Sequence, residues 1–172
     1  MSAKRSSRGM LIAVATAACA AGVLGGWAAA QSKAPKLRAG EKAYIYPPGL
    51  NKPATYTHVV MAQPGRVVWI AGQVSLNEKG EVVGAGDLRA QTRQVFDNLT
   101  AALKAAGASW TDVVKINTYV VNYSPEMLPA LREVRAQYMP GADRLPASTL
   151  VGVQALARPE FLIEIEAVAV IQ

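Results

Sequence analysis

The chain has 172 residues, 51% of them hydrophobic, enough for one domain with a real core, and this excludes a disordered or fibrous chain. The formal charge of +6 belongs to the first forty residues: six of the 18 basic residues precede the first acid, Glu41, leaving 12 basic against 12 acidic beyond it. A neutral domain lacks the footprint of a phosphate-tracking surface, so nucleic acid is not an expected partner.

The single cysteine, Cys19, and the single histidine, His58, exclude an intrachain disulfide and the usual zinc site. No Asp-rich loop suggests a harder cation.

Residues 1–30 have the three parts of a secretory signal peptide. Lys4, Arg5 and Arg8 are followed by an apolar run over 10–24 and by Ala28-Ala29-Ala30 as a small-residue cleavage site. Cleavage leaves Gln31 first. Residues 31–40 read as a flexible tail and 41–172 as the folded domain. Two alternatives stand beside cleavage: residues 9–30 as an uncleaved membrane anchor, and a lipid on Cys19. All three place the domain outside the cytoplasm, periplasmic or secreted in the first case. Only an uncleaved leader gives stable membrane association.

Residues 56–62 are a short apolar stretch ending in the turn signal Gln63-Pro64-Gly65. Residues 67–74 (VVWIAGQV) are β-branched and aromatic, and predict a buried strand. Asn77-Glu78-Lys79-Gly80 predicts a hairpin turn into a strand over 81–83. Asp87 can cap a helix over 88–106, with Leu88, Thr92, Val95, Leu99, Leu103 and Ala106 on one stripe and Gly107 as its stop. Residues 113–121 alternate, with Val114, Ile116, Thr118 and Val120 on one face.

Ser124-Pro125-Glu126 opens a second helix carrying Leu128, Leu131, Val134 and Tyr138, which Pro140-Gly141 stops. Strands over 149–155 and 161–170 complete the chain. The order β-β-β-α-β-α-β-β predicts an α+β domain, a mixed sheet with two helices on one face. The other face has no cover from the same chain, which favours self-association.

Glu164 and Glu166 share one face of the apolar segment FLIEIEAVAV. Burying an ionised carboxylate is costly unless it is paired. Either these acids face solvent or a cross-strand cation, or Glu164 lines a cleft and handles water and protons. Gly72, before Gln73, either relieves a bulge or lets a ligand approach the backbone. Tyr56 is a core residue or a cleft hydroxyl. His58 has no partner that the sequence identifies, and no nucleophile-elbow motif is present.

The segments AGQVSLNEKGEVV, QTRQVFDNLTAALKAAGAS, DVVKINTYVV and LPASTLVGVQALARPEFLIEIEAVAV together resemble the YjgF/RidA (Rid) family over residues 56–170. The resemblance implies a chorismate-mutase-like fold and a homotrimer with clefts between subunits. It also implies metal-free and cofactor-free hydrolysis of imines and enamines to 2-keto acids and ammonia. By motif position the water-positioning glutamate falls on Glu164, the ligand-contacting glycine on Gly72 and a cleft tyrosine on Tyr56.

The substrate-carboxylate arginine of that family does not carry over. Its position is Ser148, in Pro146-Ala147-Ser148-Thr149-Leu150. A serine cannot make the two-pronged contact that a carboxylate favours. Losing hydrogen bonds to a charged group costs about 1.5–3 kcal/mol each, on the order of a hundredfold in affinity. Arg144 and Arg158 are the candidate replacements, and Leu150 makes the cleft more apolar. The expectation is a trimer acting on a small imine or enamine that need not carry a carboxylate. The alternative is a non-catalytic trimeric module binding a small molecule in the same clefts. Ribonuclease activity, proposed for some relatives, fits poorly with a neutral domain.

Overall fold

The computed structural model describes residues 34–172. The signal-peptide reading of 1–30, Cys19 included, and the first part of the tail lie outside the described residues. Pro35–Gln172 form one compact unit.

The elements are β1 (Lys42–Ile45), β2 (Val59–Ala62), β3 (Arg66–Gln73), α1 (Leu88–Ala105), β4 (Val113–Val121), α2 (Leu128–Ala136), β5 (Ala147–Val153) and β6 (Ile163–Ile171). Their order matches the expected string, but the membership differs. β1 is a strand the sequence reading lacks. The expected strand over 81–83 shrinks to a single bridge, Leu76 to Val82. Four residues, KAYI, carry too little alternation to announce β1, and it exists by pairing with β2. The expected strand at 56–62 begins only at Val59, because the Thr57 backbone N–H is drawn away to the Pro146 carbonyl at 3.3 Å.

The main sheet has the order β3-β6-β4-β5. β4 and β5 are parallel, joined through α2, while β6 runs antiparallel to both β3 and β4. The last strand to be made is therefore inserted at the centre. Flanked on both sides by neighbours, it is the most buried strand of the sheet.

Asp87 caps α1 as expected, accepting the Arg89 and Ala90 backbone N–H groups at 2.9 and 3.1 Å. Val95, Phe96, Leu99 and Leu103 bury one stripe of α1 against β6 and β3. Gln91, fully buried, satisfies both ends of its amide with the Glu160 carbonyl and the Leu162 N–H, at 2.8 and 2.9 Å. The second helix starts with a 3-10 turn over Pro125–Met127, and α2 ends before Tyr138, whose ring nevertheless stacks on Phe96 at 5.0 Å.

Both helices lie on one face of the sheet. There β6 presents Ile163, Ile165, Ala167 and Ala169, all buried. One extra residue in β4, between Val113 and Lys115, moves Val113 rather than Val114 into that layer beside Ile116 and Val120. The opposite face carries Lys115, Asn117, Tyr119, Glu164, Glu166 and Val168. Beside them Trp69 is 78% exposed, an apolar surface that no other described residue covers.

Candidate functional site

Glu164 alternates with Ile163 and Ile165, which β6 buries beneath the helices, so its carboxylate stands on the uncovered face. The ladder between β3 and β6 passes from Ile70–Ala167 to Gln73–Ile165, one residue too many on β3. The resulting bulge holds Ala71 and Gly72. A Cβ at Gly72 would overlap the Glu164 carboxyl group. The glycine makes room for the close approach of that acid, and a side chain there would push the carboxylate aside. The Gln73 side-chain amide donates to the Ala71 carbonyl at 3.1 Å and braces the bulge.

The two glutamates have different surroundings. Glu166 accepts from Asn117 Nδ2 at 2.6 Å and from the Tyr119 hydroxyl at 3.2 Å. This hydrogen bond, helped by burial, raises the Tyr119 phenol above its ordinary value. Burial holds the neighbouring Lys115 ammonium below its usual range, opposed by the Glu166 charge. Among the described residues no side chain donates to Glu164. Glu166 is thus tied across the strands by two donors, and Glu164 is not.

Tyr56, Ser148 and Leu150 converge on the other face. Ser148 pairs with Ile116 and Leu150 with Thr118 in the parallel ladder, so both turn toward the helices. They line a cavity of about 150 Å³ with Thr118, Leu131 and Arg135. In one protomer this cavity and Glu164 are separated by the sheet.

Arg135 enters the cavity from α2. Its Nη1 donates to Ser148 Oγ at 3.1 Å, while Nε and Nη2 are buried with no partner among the described residues. Burial, and then the nearby Arg132 charge, lower its pKa to about 10, which leaves it protonated at neutral pH. The sequence reading passed over this residue. Its signal was a cation four residues after Leu131 and seven after Leu128, on the apolar edge of an amphipathic helix.

The cations nominated from sequence lie elsewhere. Arg144 lines a separate cavity of about 670 Å³ with Lys42, Tyr44 and Asp112, 3.8 Å from Asp143. Arg158 sits over the Phe161 ring at 5.5 Å. His58 is bound through Nε2 to the Asn51 carbonyl at 2.7 Å and meets Tyr56 edge-on. Among the described residues no three His, Cys, Asp or Glu side chains cluster as metal ligands do.

Residues 49–171 match the family model described as endoribonuclease L-PSP. A RutC family protein of Pyrococcus horikoshii is 38% identical over 130 residues, covering 74% of this chain and 97% of the relative. A protein of Acinetobacter baylyi named 3-aminoacrylate deaminase RutC is 34% identical over 128 residues, with the same coverage. One from Dermatophagoides farinae named 2-iminobutanoate/2-iminopropanoate deaminase is 32% identical over 110 residues, 64% of this chain and 82% of the relative. The crystal structure of YyfB, a Rid family protein of Yersinia pestis, superposes with a TM-score of 0.70 at 47% identity, covering 76% of this chain and 98% of that one. Central β6 with its paired acids, the Gly72 bulge and these matches agree: the chain belongs to the YjgF/RidA family.

Proposed function

We propose that this protein hydrolyses small imines or enamines to carbonyl compounds and ammonia, in clefts where the Glu164 face of one protomer meets the Ser148 cavity of the next. The observation that carries the reading is the Glu164 carboxylate, held against Gly72 without a donor of its own and backed by the sheet. The exposed Trp69 and Val67 supply an apolar face for protomers to meet, and a homotrimer is the assembly the reading uses. The names of two relatives, both deaminases of such intermediates, support the substrate class.

In the proposed step Glu164 takes a proton from water as its oxygen bonds to the imine carbon. That proton passes to nitrogen and gives a carbinolamine; the proton of its hydroxyl then follows to nitrogen as the carbon–nitrogen bond breaks, so that ammonia leaves and the carbonyl group remains. No electrons are exchanged. An enamine enters the same path after a proton moves to its carbon.

Imino acids generated by an amino-acid oxidase provide the test. Their loss is timed with and without the protein. The expected result is acceleration that Glu164→Ala reduces by roughly 10²–10⁴-fold. No acceleration, or full activity in Glu164→Ala, overturns the reading.

A second reading, a non-catalytic binding module in the same clefts, is favoured by Ser148 at the position of the family arginine. It predicts ligand binding with no turnover in the same assay. We also propose that the protein works outside the cytoplasm, on the strength of its leader. Mass spectrometry of the protein made in its native cell should find Gln31 at the N-terminus, and an intact Met1 end on a cytoplasmic product would refute export.

A further inference from the structure

We infer that Arg135 is the anion-recognition residue of the Ser148 cavity, and that the cavity takes a small monocarboxylate. The inference rests on the proposed reading of this cavity as the substrate site, and it assigns the substrate a charged group. It replaces the expectation from Ser148 alone that the substrate need not carry a carboxylate.

The geometry of the guanidinium carries the argument. Nη1 is used by Ser148 Oγ. The two nitrogens left over, Nε and Nη2, lie on one edge of the planar group, and their N–H bonds run parallel. That edge is the fork that matches the two oxygens of a carboxylate. Both atoms are buried and unpartnered. A protonated arginine with two orphaned donors is costly in a folded domain, unless the site is completed by an anion.

The surroundings specify the ligand further. No Asp or Glu lines this cavity or the adjoining one that shares Arg132 and Arg135, so the chain supplies no counter-ion of its own. Arg132 adds a second positive charge at the exposed edge. The remaining wall is apolar, from Leu131, Leu150, Ile163 and Phe96. A cavity of 150 Å³ suits a ligand of about six non-hydrogen atoms. A short aliphatic acid fits both the fork and the wall.

Ser148 and Arg135 are then one unit. A short side chain at 148 leaves room for a guanidinium delivered from α2, and its hydroxyl orients that group. An arginine at 148 would bring two guanidinium groups into the same space.

Butanoate and its neutral isostere butanamide, titrated into the protein by calorimetry, test the assignment. Butanoate is expected to bind and butanamide to bind at least tenfold more weakly. Arg135→Met should lose butanoate affinity by roughly 30- to 100-fold, yet melt no lower than wild type without ligand, because it removes a buried unpaired charge. Arg135→Lys keeps the charge without the fork and should bind about tenfold more weakly than wild type. Ser148→Arg should weaken binding, and Arg135→Met/Ser148→Arg should recover it. Butanoate binding is read without turnover, so the anion site is judged even where imine hydrolysis fails. Equal affinity for butanoate and butanamide, or wild-type affinity in Arg135→Met or Arg135→Lys, overturns the inference.

Discussion

Ser148 and Glu164 point to opposite faces of the same four-stranded sheet, so one protomer cannot apply both to one ligand. If clefts form between protomers, each cleft draws Glu164 from one chain and the Ser148 wall from another. Leu150→Trp should fill the cavity and Glu164→Ala should remove the acid, each leaving an inactive assembly. Mixing the two and refolding at equal ratio should restore about one quarter of wild-type activity, the fraction of clefts in which both halves are intact. No recovery in mixed assemblies shown by mass to be hybrid would rule out the shared cleft.

Gly72 and Glu164 should behave as a coupled pair. A methyl group at 72 meets the carboxyl group directly. Gly72→Ala is expected to destabilise the protein by about 1–3 kcal/mol and to displace the acid. Glu164→Ala on top of it should return much of that stability, because the overlapping group is gone. Urea unfolding of the four proteins of the cycle measures the coupling; additive losses would mean that the bulge adjusts freely.

Tyr138 should make the fold sensitive to alkali. Burial, then its 2.7 Å hydrogen bond to Asp97, pushes its phenol up to about 12. The folded chain therefore keeps a proton that the unfolded chain releases above pH 10. The contribution is whole below that pH and is lost as pH rises from 10 toward 12. Tyr138→Phe should be less stable than wild type at about pH 9, and the difference should shrink by about pH 11. Urea midpoints at the two values decide it.

Asp87→Ala removes the two side-chain hydrogen bonds that hold the first turn of α1. The expected cost is about 1 kcal/mol, a fall of about 2–4 °C in the melting temperature. Asp87→Asn, which keeps an acceptor, should lose much less. Thermal unfolding followed by circular dichroism distinguishes the two.

Much of the fold was legible because its signals are local. The α1 stripe, its Asp87 cap and its Gly107 stop are written at helical spacing, and FLIEIEAVAV shows its two faces at period two. The misses follow from the same reasoning. β1 is a strand only through its partner β2, and the bridge at Val82 lacks a partner long enough to extend it. The extra residue in β4 exchanges Val113 for Val114, because a bulge resets the alternation that the sequence displays.

The candidate site divides along the same line. The sequence alone determined the α+β class, the paired acids on one face of the last strand, a glycine at 72 inside an apolar strand and, through the family resemblance, a serine where the family has its arginine. Each is a matter of residue type at short range. Only the tertiary structure decided that Glu164 rests on Gly72, that Ser148 turns to the other face, and that Arg135 reaches it from α2. Those relations join residues far apart in the chain. They depend on the insertion of β6 between β3 and β4 and on the packing of α2 over β5, and no spacing in the sequence encodes them.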